Sequence, residues 1–385
     1  MSRCTRRGVL QAGVAGALCG APVFAERPDD SLERLARAKG MRFGTALGTR
    51  ALADTRYLDL IRDQCGLIVP EGELKMPAIQ PQPGEFHFER ADALMSFAET
   101  NGLGMRGHCL LWHHPRWLPR WMEGHDFGQN PAQGAEKFLT DHIARTTSRY
   151  GKRLVSWDVV NEAVDNLTGE MRVTPLSKAI GSPDRVLEIA FHAARENLPD
   201  TELVYNDYMG WESDDGPHRD GVLRLLERFR KNGVPVNSLG LQSHIGAGNQ
   251  DGSADRAFDA RDEKAWRRFL DEVTGMGYGL LLTEFDVHDL PLPADFATRD
   301  RAVAAFGRAY LDLTLSFKQV NALLCWGMMD SHTWLQGRTP RKDGLPKRPT
   351  PYDDQYRSKP LRDAISGALR AAPPRRPAAL AGIPA

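Results

Sequence analysis

Val155-Ser156-Trp157-Asp158-Val159-Val160-Asn161-Glu162 and Leu281-Leu282-Thr283-Glu284-Phe285-Asp286 share one design, an apolar run that ends in a carboxylate. Such runs read as buried strands of a parallel sheet, and the terminal carboxylates would stand at one edge of it. Outward from these two, further strand candidates are Arg42–Ala46, Gly66–Val69, Gly104–Leu110, Leu203–Asn206, Ser238–His244 and Ala322–Gly327, with the two quoted runs giving Leu154–Val160 and Gly279–Phe285. Amphipathic stretches fill the gaps: Ala51–Arg62, Arg90–Thr100, Ala132–Tyr150, Asp184–Asn197, Gly221–Lys231, Glu263–Met276, Arg299–Phe317 and Leu361–Leu369. Eight alternating units imply parallel strands joined by right-handed crossovers, and eight is the number that closes a barrel. The expected fold class is therefore α/β, a (β/α)8 TIM barrel forming a single domain over residues 26–370. An open doubly wound sheet is the alternative, but no Gly-x-Gly-x-x-Gly follows the first strand. Long loops after the strands, at Pro70–Phe88, Trp112–Asn130, Glu162–Pro183, Asp207–His218, Ile245–Asp262 and Asp286–Thr298, are expected to build a cleft at the catalytic face.

Composition narrows the partner. Lys+Arg and Asp+Glu both total 50 in the 385 residues, so no whole-chain field would gather nucleic acid or anionic lipid. A neutral or small partner is implied, and eight Trp residues offer flat faces suited to sugar rings. No His-Glu-x-x-His or paired cysteine motif suggests a metal, and no Gly-x-Ser-x-Gly suggests a serine nucleophile. No cofactor is expected, and the chain is expected to act as a monomer.

The N-terminus reads as an address. Thr5-Arg6-Arg7-Gly8-Val9-Leu10 precedes a Gly/Ala-rich stretch ending in Ala21-Pro22-Val23-Phe24-Ala25, the pattern of a twin-arginine signal over residues 1–25. The apolar part is far short of the ~20 residues that span a bilayer, so export to the periplasm or medium is expected, with no membrane association after cleavage. Cys65, Cys109 and Cys325 then remain, scattered in apolar runs as buried thiols rather than a disulfide framework. The Pro/Ala-rich tail, residues 371–385, is expected to be disordered.

Polar residues gather where the strand candidates end. His108 sits in the third with Trp112 and His113 just beyond, Gln242-Ser243-His244 closes the sixth, and Trp326-Gly327 closes the eighth. A lone Glu at a strand end is ordinarily a cap or a surface ion pair, and a lone His is ordinarily structural. Two glutamates in this company can instead divide acid and nucleophile work on a glycosidic bond, without a metal, provided their surroundings push their pKa values apart. Asp286 and His244 would keep Glu284 ionised, whereas Glu162, flanked by Asn161 and Ala163, is better placed for a raised pKa.

The segments Arg106-Gly107-His108 through Trp112-His113, Trp157-Asp158-Val159-Val160-Asn161-Glu162-Ala163, Tyr205-Asn206-Asp207-Tyr208, Gly240-Leu241-Gln242-Ser243-His244, Thr283-Glu284-Phe285-Asp286-Val287 and Trp326-Gly327-x-x-Asp330-x-x-x-Trp334 resemble glycoside hydrolase family 10 in order and spacing. The resemblance implies a retaining endo-1,4-β-xylanase hydrolysing internal bonds of xylan through a covalent glycosyl-enzyme, with xylan or xylo-oligosaccharides as partner. It implies Glu162 as acid/base and Glu284 as nucleophile, supported by His244, Asp286 and Gln242. Asn161 would bond the 2-hydroxyl of the attacked sugar, and Trp112 would pack beside the acid/base. Lys75 and His108 would grip hydroxyls, Trp326 and Trp334 would wall the subsite, and Glu71 and Tyr208 complete the expected substrate contacts.

Two stretches depart from the family pattern. Glu71-Gly72-Glu73-Leu74-Lys75-Met76 has Gly72 and Met76 where an Asn and a Trp are usual, and Trp112-His113-His114-Pro115-Arg116-Trp117 lacks the usual polar run after the His. Two readings stay open beside the xylanase: a related β-1,4-glycanase, cellulase-like or specific for decorated xylan, and a carbohydrate-binding barrel without catalysis.

Overall fold

The computed structural model describes residues 27–247, 258–338 and 340–376. The expected signal segment lies outside the described residues, as do residues 377–385 of the tail. Nine strands are present among them: β1 (Arg42–Leu47), β2 (Leu67–Pro70), β3 (Gly104–Trp112), β4 (Leu154–Asn161), β5 (Glu202–Asp207), β6 (Ser238–Leu241), β7 (His244–Ala247), β8 (Gly279–Asp289) and β9 (Val320–Cys325). The helices are α1 (Leu32–Arg37), α2 (Thr55–Gln64), α3 (Met76–Ile79), α4 (Glu89–Thr100), α5 (Pro131–Tyr150), α6 (Pro175–Ile180), α7 (Pro183–Asn197), α8 (Gly216–Lys231), α9 (Glu263–Gly275), α10 (Phe296–Thr314) and α11 (Pro360–Ala371).

All strand pairs are parallel, and the ring β1 to β6 closes through a direct β6–β8 pairing and then β9 back to β1. This is the expected eight-stranded barrel. Its interior is filled from alternate positions, Leu67 and Val69 on β2 and Ala322, Leu324 and then Trp326 on and after β9, together with Val155, Val204 and Leu281. That period of two is what a pleated strand imposes. A larger apolar layer lies between strands and helices. There α9 buries Trp266, Phe269, Leu270 and Val273, each contributing about 1.5–3 kcal/mol on burial.

The sixth strand differs from the single run Ser238–His244 expected of it. It breaks at Gln242-Ser243, where Ser243 takes φ 62, and resumes as β7, which pairs His244 with Asp286. Helix starts follow their caps. Asp54 accepts from the Tyr57 amide, so α2 begins at Thr55 and Thr49–Ala53 forms a separate 3-10 turn. Asp295 likewise starts α10 at Phe296, ahead of the expected Arg299.

Two further corrections concern the ends. The longest catalytic-face connection, Trp326 to Lys359, is missing from the expected loops. It is held by Asp330, whose carboxylate receives Lys359 Nζ and Thr350 Oγ1 at 2.8 and 2.7 Å, and by Arg341, which donates to the carbonyls of Asp289, Leu290 and Leu292. The tail expected to be disordered from 371 is ordered through its first residues. Helix α11 runs to Ala371, and the Arg375 guanidinium donates to the carbonyls of Leu315, Phe317 and Val320 beneath the barrel.

Candidate active site

The strands deliver their polar ends to one cleft of about 550 Å³. Glu71, Lys75, His108, Trp112, Asn161, Glu162, Tyr208, Gln242, His244, Glu284, Trp326 and Trp334 all line it. Of the residues expected at the site only Asp286 stands behind the wall, 1% exposed, where it holds His244 and Trp334.

Glu284, at 5% exposure, is gripped from two sides. Asn206 Nδ2 donates to Oε1 at 2.8 Å, and His244 Nε2 lies 3.3 Å from Oε2. The other ring nitrogen of His244 is 2.9 Å from Asp286 Oδ1. Burial opposes a charged imidazole, yet the Asp286 and Glu284 carboxylates outweigh it and push His244 up to about 10. Both of its N–H groups therefore donate. Burial alone would raise the Glu284 carboxyl, but the His244 bond and the fields of His108, His244 and Lys75 hold it below the ordinary range. Trp334 Nε1 donates to Asp286 Oδ2 at 2.9 Å, so one cleft wall is locked to the same network.

Glu162 sits in the opposite regime. Burial raises its carboxyl pKa, and the Asp207 and Glu284 charges add to that, while bonds from Gln242 and Trp112 offset only part. Gln242 Nε2 donates to Glu162 Oε1 at 2.9 Å and to Asn161 Oδ1 at 3.2 Å. Asn206 Nδ2 also reaches Asn161 Oδ1 at 2.9 Å, and two converging donors fix that amide with its oxygen toward them. A continuous chain of amides, Gln242, Asn161 and Asn206, thus joins the two carboxyls. Asn206 is the member of this chain that sequence reasoning quoted but did not assign.

Lys75 reaches over the cleft with its ammonium 4.3 Å from the Trp112 ring and 5.9 Å from that of Trp326. His108 is oriented from behind. Its Nδ1 lies 2.9 Å from Asp158 Oδ2, and Arg106 donates to Asp158 Oδ1 at 2.6 Å, which leaves His108 Nε2 for the cleft. Tyr208 accepts from Arg172 and donates to Asn166. The departures also resolve. Met76 is 1% exposed in α3 and does not line the cleft, and Glu73 turns away from it to bind Thr49 and Arg90. Glu73 therefore does not replace a side chain at Gly72. His114, Arg116, Trp117 and Arg338 line the cleft without having been expected there. His244, Asp286 and His288 are near enough to hold a metal ion, but both ring nitrogens of His244 already serve carboxylates.

A family model described as glycosyl hydrolase family 10 matches residues 31–368. The chain belongs to glycosyl hydrolase family 10. It is 29% identical over 363 residues to endo-1,4-β-xylanase 1 of Humicola insolens, covering 92% of this chain and 77% of that one. To endo-1,4-β-xylanase B of Thermotoga neapolitana it is 27% identical over 340 residues, covering 88% and 91%. Among solved structures it is similar to native xylanase 10B of Thermotoga maritima, with 29% identity, TM-score 0.75 and coverage of 88% and 98%. It is also similar to xylanase 10B of Thermotoga petrophila RKU-1 in complex with xylobiose, with 28% identity, TM-score 0.76 and coverage of 90% and 98%. As a family-10 chain it is a glycoside hydrolase, and the paired glutamates are its chemical centre of interest.

Proposed function

We propose that this family-10 hydrolase is an endo-1,4-β-xylanase that cleaves internal bonds of xylan with retention. The observation that carries the reading is the opposite polarisation of two glutamates in one cleft, Glu162 raised by burial and Glu284 held low against burial by His244. Glu284 stays a carboxylate and attacks the anomeric carbon while Glu162, protonated, gives its proton to the departing oxygen. Loss of that proton leaves Glu162 as the base that activates water for the second displacement. Lys75, His108 and Asn161 receive sugar hydroxyls, and Trp112, Trp326 and Trp334 wall the sugar. The names of the similar proteins above, one of them holding xylobiose, support xylan as the substrate.

The test is Glu284→Ala assayed with azide. Cleavage should vanish and return with azide, giving a glycosyl azide of inverted configuration; a product of retained configuration would move the nucleophile elsewhere. The same proposal includes export as a monomer to the periplasm or medium by the Arg6-Arg7 signal. Arg6→Lys with Arg7→Lys should leave uncleaved precursor in the cytoplasm, and normal processing in that variant would refute the route.

A further inference from the structure

The cleft carries guanidinium groups on its aromatic walls, more positive charge than a neutral glycan calls for. The Arg116 guanidinium lies 4.7 Å from the Trp117 ring, and Trp117 stacks on Trp112 with centroids 5.0 Å apart at 20°. With the Lys75 ammonium on Trp112, the order is a continuous column from the catalytic floor to the rim. On the opposite wall Arg338 lies 4.8 Å over Trp334. Stacking occupies the face of a guanidinium and leaves its in-plane N–H groups pointing outward, a fork matched to a carboxylate.

Arg116 is exposed, and among the described residues its guanidinium forms no hydrogen bond or ion pair. The acids nearby are already engaged. Asp165 is bound by Arg172 at 2.9 Å, and Asp207 by His218 at 3.1 Å. His114 is held neutral at about 4 by burial and by the charges of Arg172 and Arg116, so the local field is positive. The loop that carries Arg116 is anchored. His113, fully buried, bonds the Arg172 carbonyl at 3.1 Å, and the Arg116 amide donates to His114 Nδ1 at 3.1 Å. The backbone that presents the cation is thus held before any ligand arrives, and the Trp117 ring is the guanidinium's contact.

We propose that Arg116 is a specificity residue that receives the carboxylate of a uronic-acid substituent on the sugar backbone, so that acidic, uronate-decorated xylan is preferred over plain polymer. This rests on the xylanase reading for its backbone, and adds the acidic decoration. A partly exposed charge-assisted bidentate contact corresponds to about a tenfold preference, weakening as salt is added.

The experiment compares a xylo-oligosaccharide bearing one glucuronic-acid branch with the same oligosaccharide after reduction of its carboxyl. The unaltered protein should favour the acid about tenfold in kcat/KM, Arg116→Gln should bring that ratio near one, and Arg116→Lys should fall between. The ratio of dissociation constants on Glu284→Ala protein, with and without Arg116→Gln, gives the same comparison without turnover. A ratio near one in the unaltered protein, or one that survives Arg116→Gln, overturns the proposal. Hydrolysis of plain xylan is followed alongside. Failure to hydrolyse both plain xylan and the acid-branched oligosaccharide, with the binding ratio intact, overturns the xylanase reading alone, and hydrolysis with a ratio near one overturns the acidic preference alone.

Discussion

Asn206 is the sharpest place to test the site. It is fully buried, and its amide is oriented by Thr283 Oγ1, which donates to Oδ1 at 2.7 Å and so turns Nδ2 toward Glu284 Oε1 and Asn161 Oδ1 at 2.8 and 2.9 Å. Besides the Thr283 contact that orients it, Asn206→Ala removes from the site one bond to a charged acceptor and one to a neutral amide. At about 1.5–3 and 0.5–1.5 kcal/mol the sum is about 2–4.5 kcal/mol, or about 30-fold to 2,000-fold in kcat/KM, with the upper figure reached only if no water takes the amide's place. Asn206→Asp keeps the shape but sets a carboxylate against Glu284. A second negative charge raises the Glu284 pKa, so the acidic limb of the kcat/KM profile, which reports loss of the Glu284 carboxylate, moves to higher pH. The measurement is kcat/KM on an aryl xyloside across pH, with a thermal melt to show that each variant is folded. A folded Asn206→Asp enzyme with an unmoved acidic limb and activity within threefold of the original would refute the assignment of Asn206 as the donor that holds Glu284. Thr283→Val, which only loosens the amide, should cost no more than about tenfold.

Glu162→Ala should slow cleavage of xylan and of xylosides with poor leaving groups far more than that of activated aryl xylosides, and equal losses on both would count against the acid/base role. Gly72→Asn should raise kcat/KM on xylotriose and xylotetraose about threefold to tenfold, since a new hydrogen bond to the adjoining sugar is worth about 0.5–1.5 kcal/mol. A Cβ at Gly72 would meet nothing within 4 Å, and the residue is not at positive φ, so a folded variant without gain would mean that no sugar hydroxyl stands there.

The barrel was legible because every strand but the sixth is an unbroken local run and a long amphipathic helix fills each gap, so the pattern needs no distant contact to be read. The site was legible where function sits on strand ends, because position along a parallel strand fixes which rim a residue reaches; Glu162, Gln242, His244 and Glu284 were found that way. Asn206 escaped since an Asn in Tyr205-Asn206-Asp207-Tyr208 carries no sign of which partners its amide will meet. Arg116, Trp117 and Arg338 escaped for another reason. They lie on connections whose side-chain directions follow no period, and it is the folded cleft, with Trp117 on Trp112, Arg116 over Trp117 and Arg338 over Trp334, that shows they face it. Trp326–Lys359 was not expected as a loop at all because its order comes from distant ion pairs, Asp330 with Lys359 above all.

Glu162, the proposed acid/base, shows why a strand pattern cannot finish the argument. Successive residues of a strand point to opposite faces, so Asn161 and Glu162 could not both enter the cleft if β4 simply continued. They do both line it, because the chain leaves the strand at Glu162 with φ 54. A left-handed backbone at a non-glycine residue costs on the order of 1–2 kcal/mol. Part of that is offset by the Glu162 amide, which donates to the Asn206 carbonyl at 2.9 Å, and by the Gln242 bond to the side chain. Glycine would remove the strain and with it the carboxyl proposed as proton donor. The residue that relieves the backbone is thus the one the chemistry excludes, and a strained glutamate at the end of an otherwise regular strand is what remains.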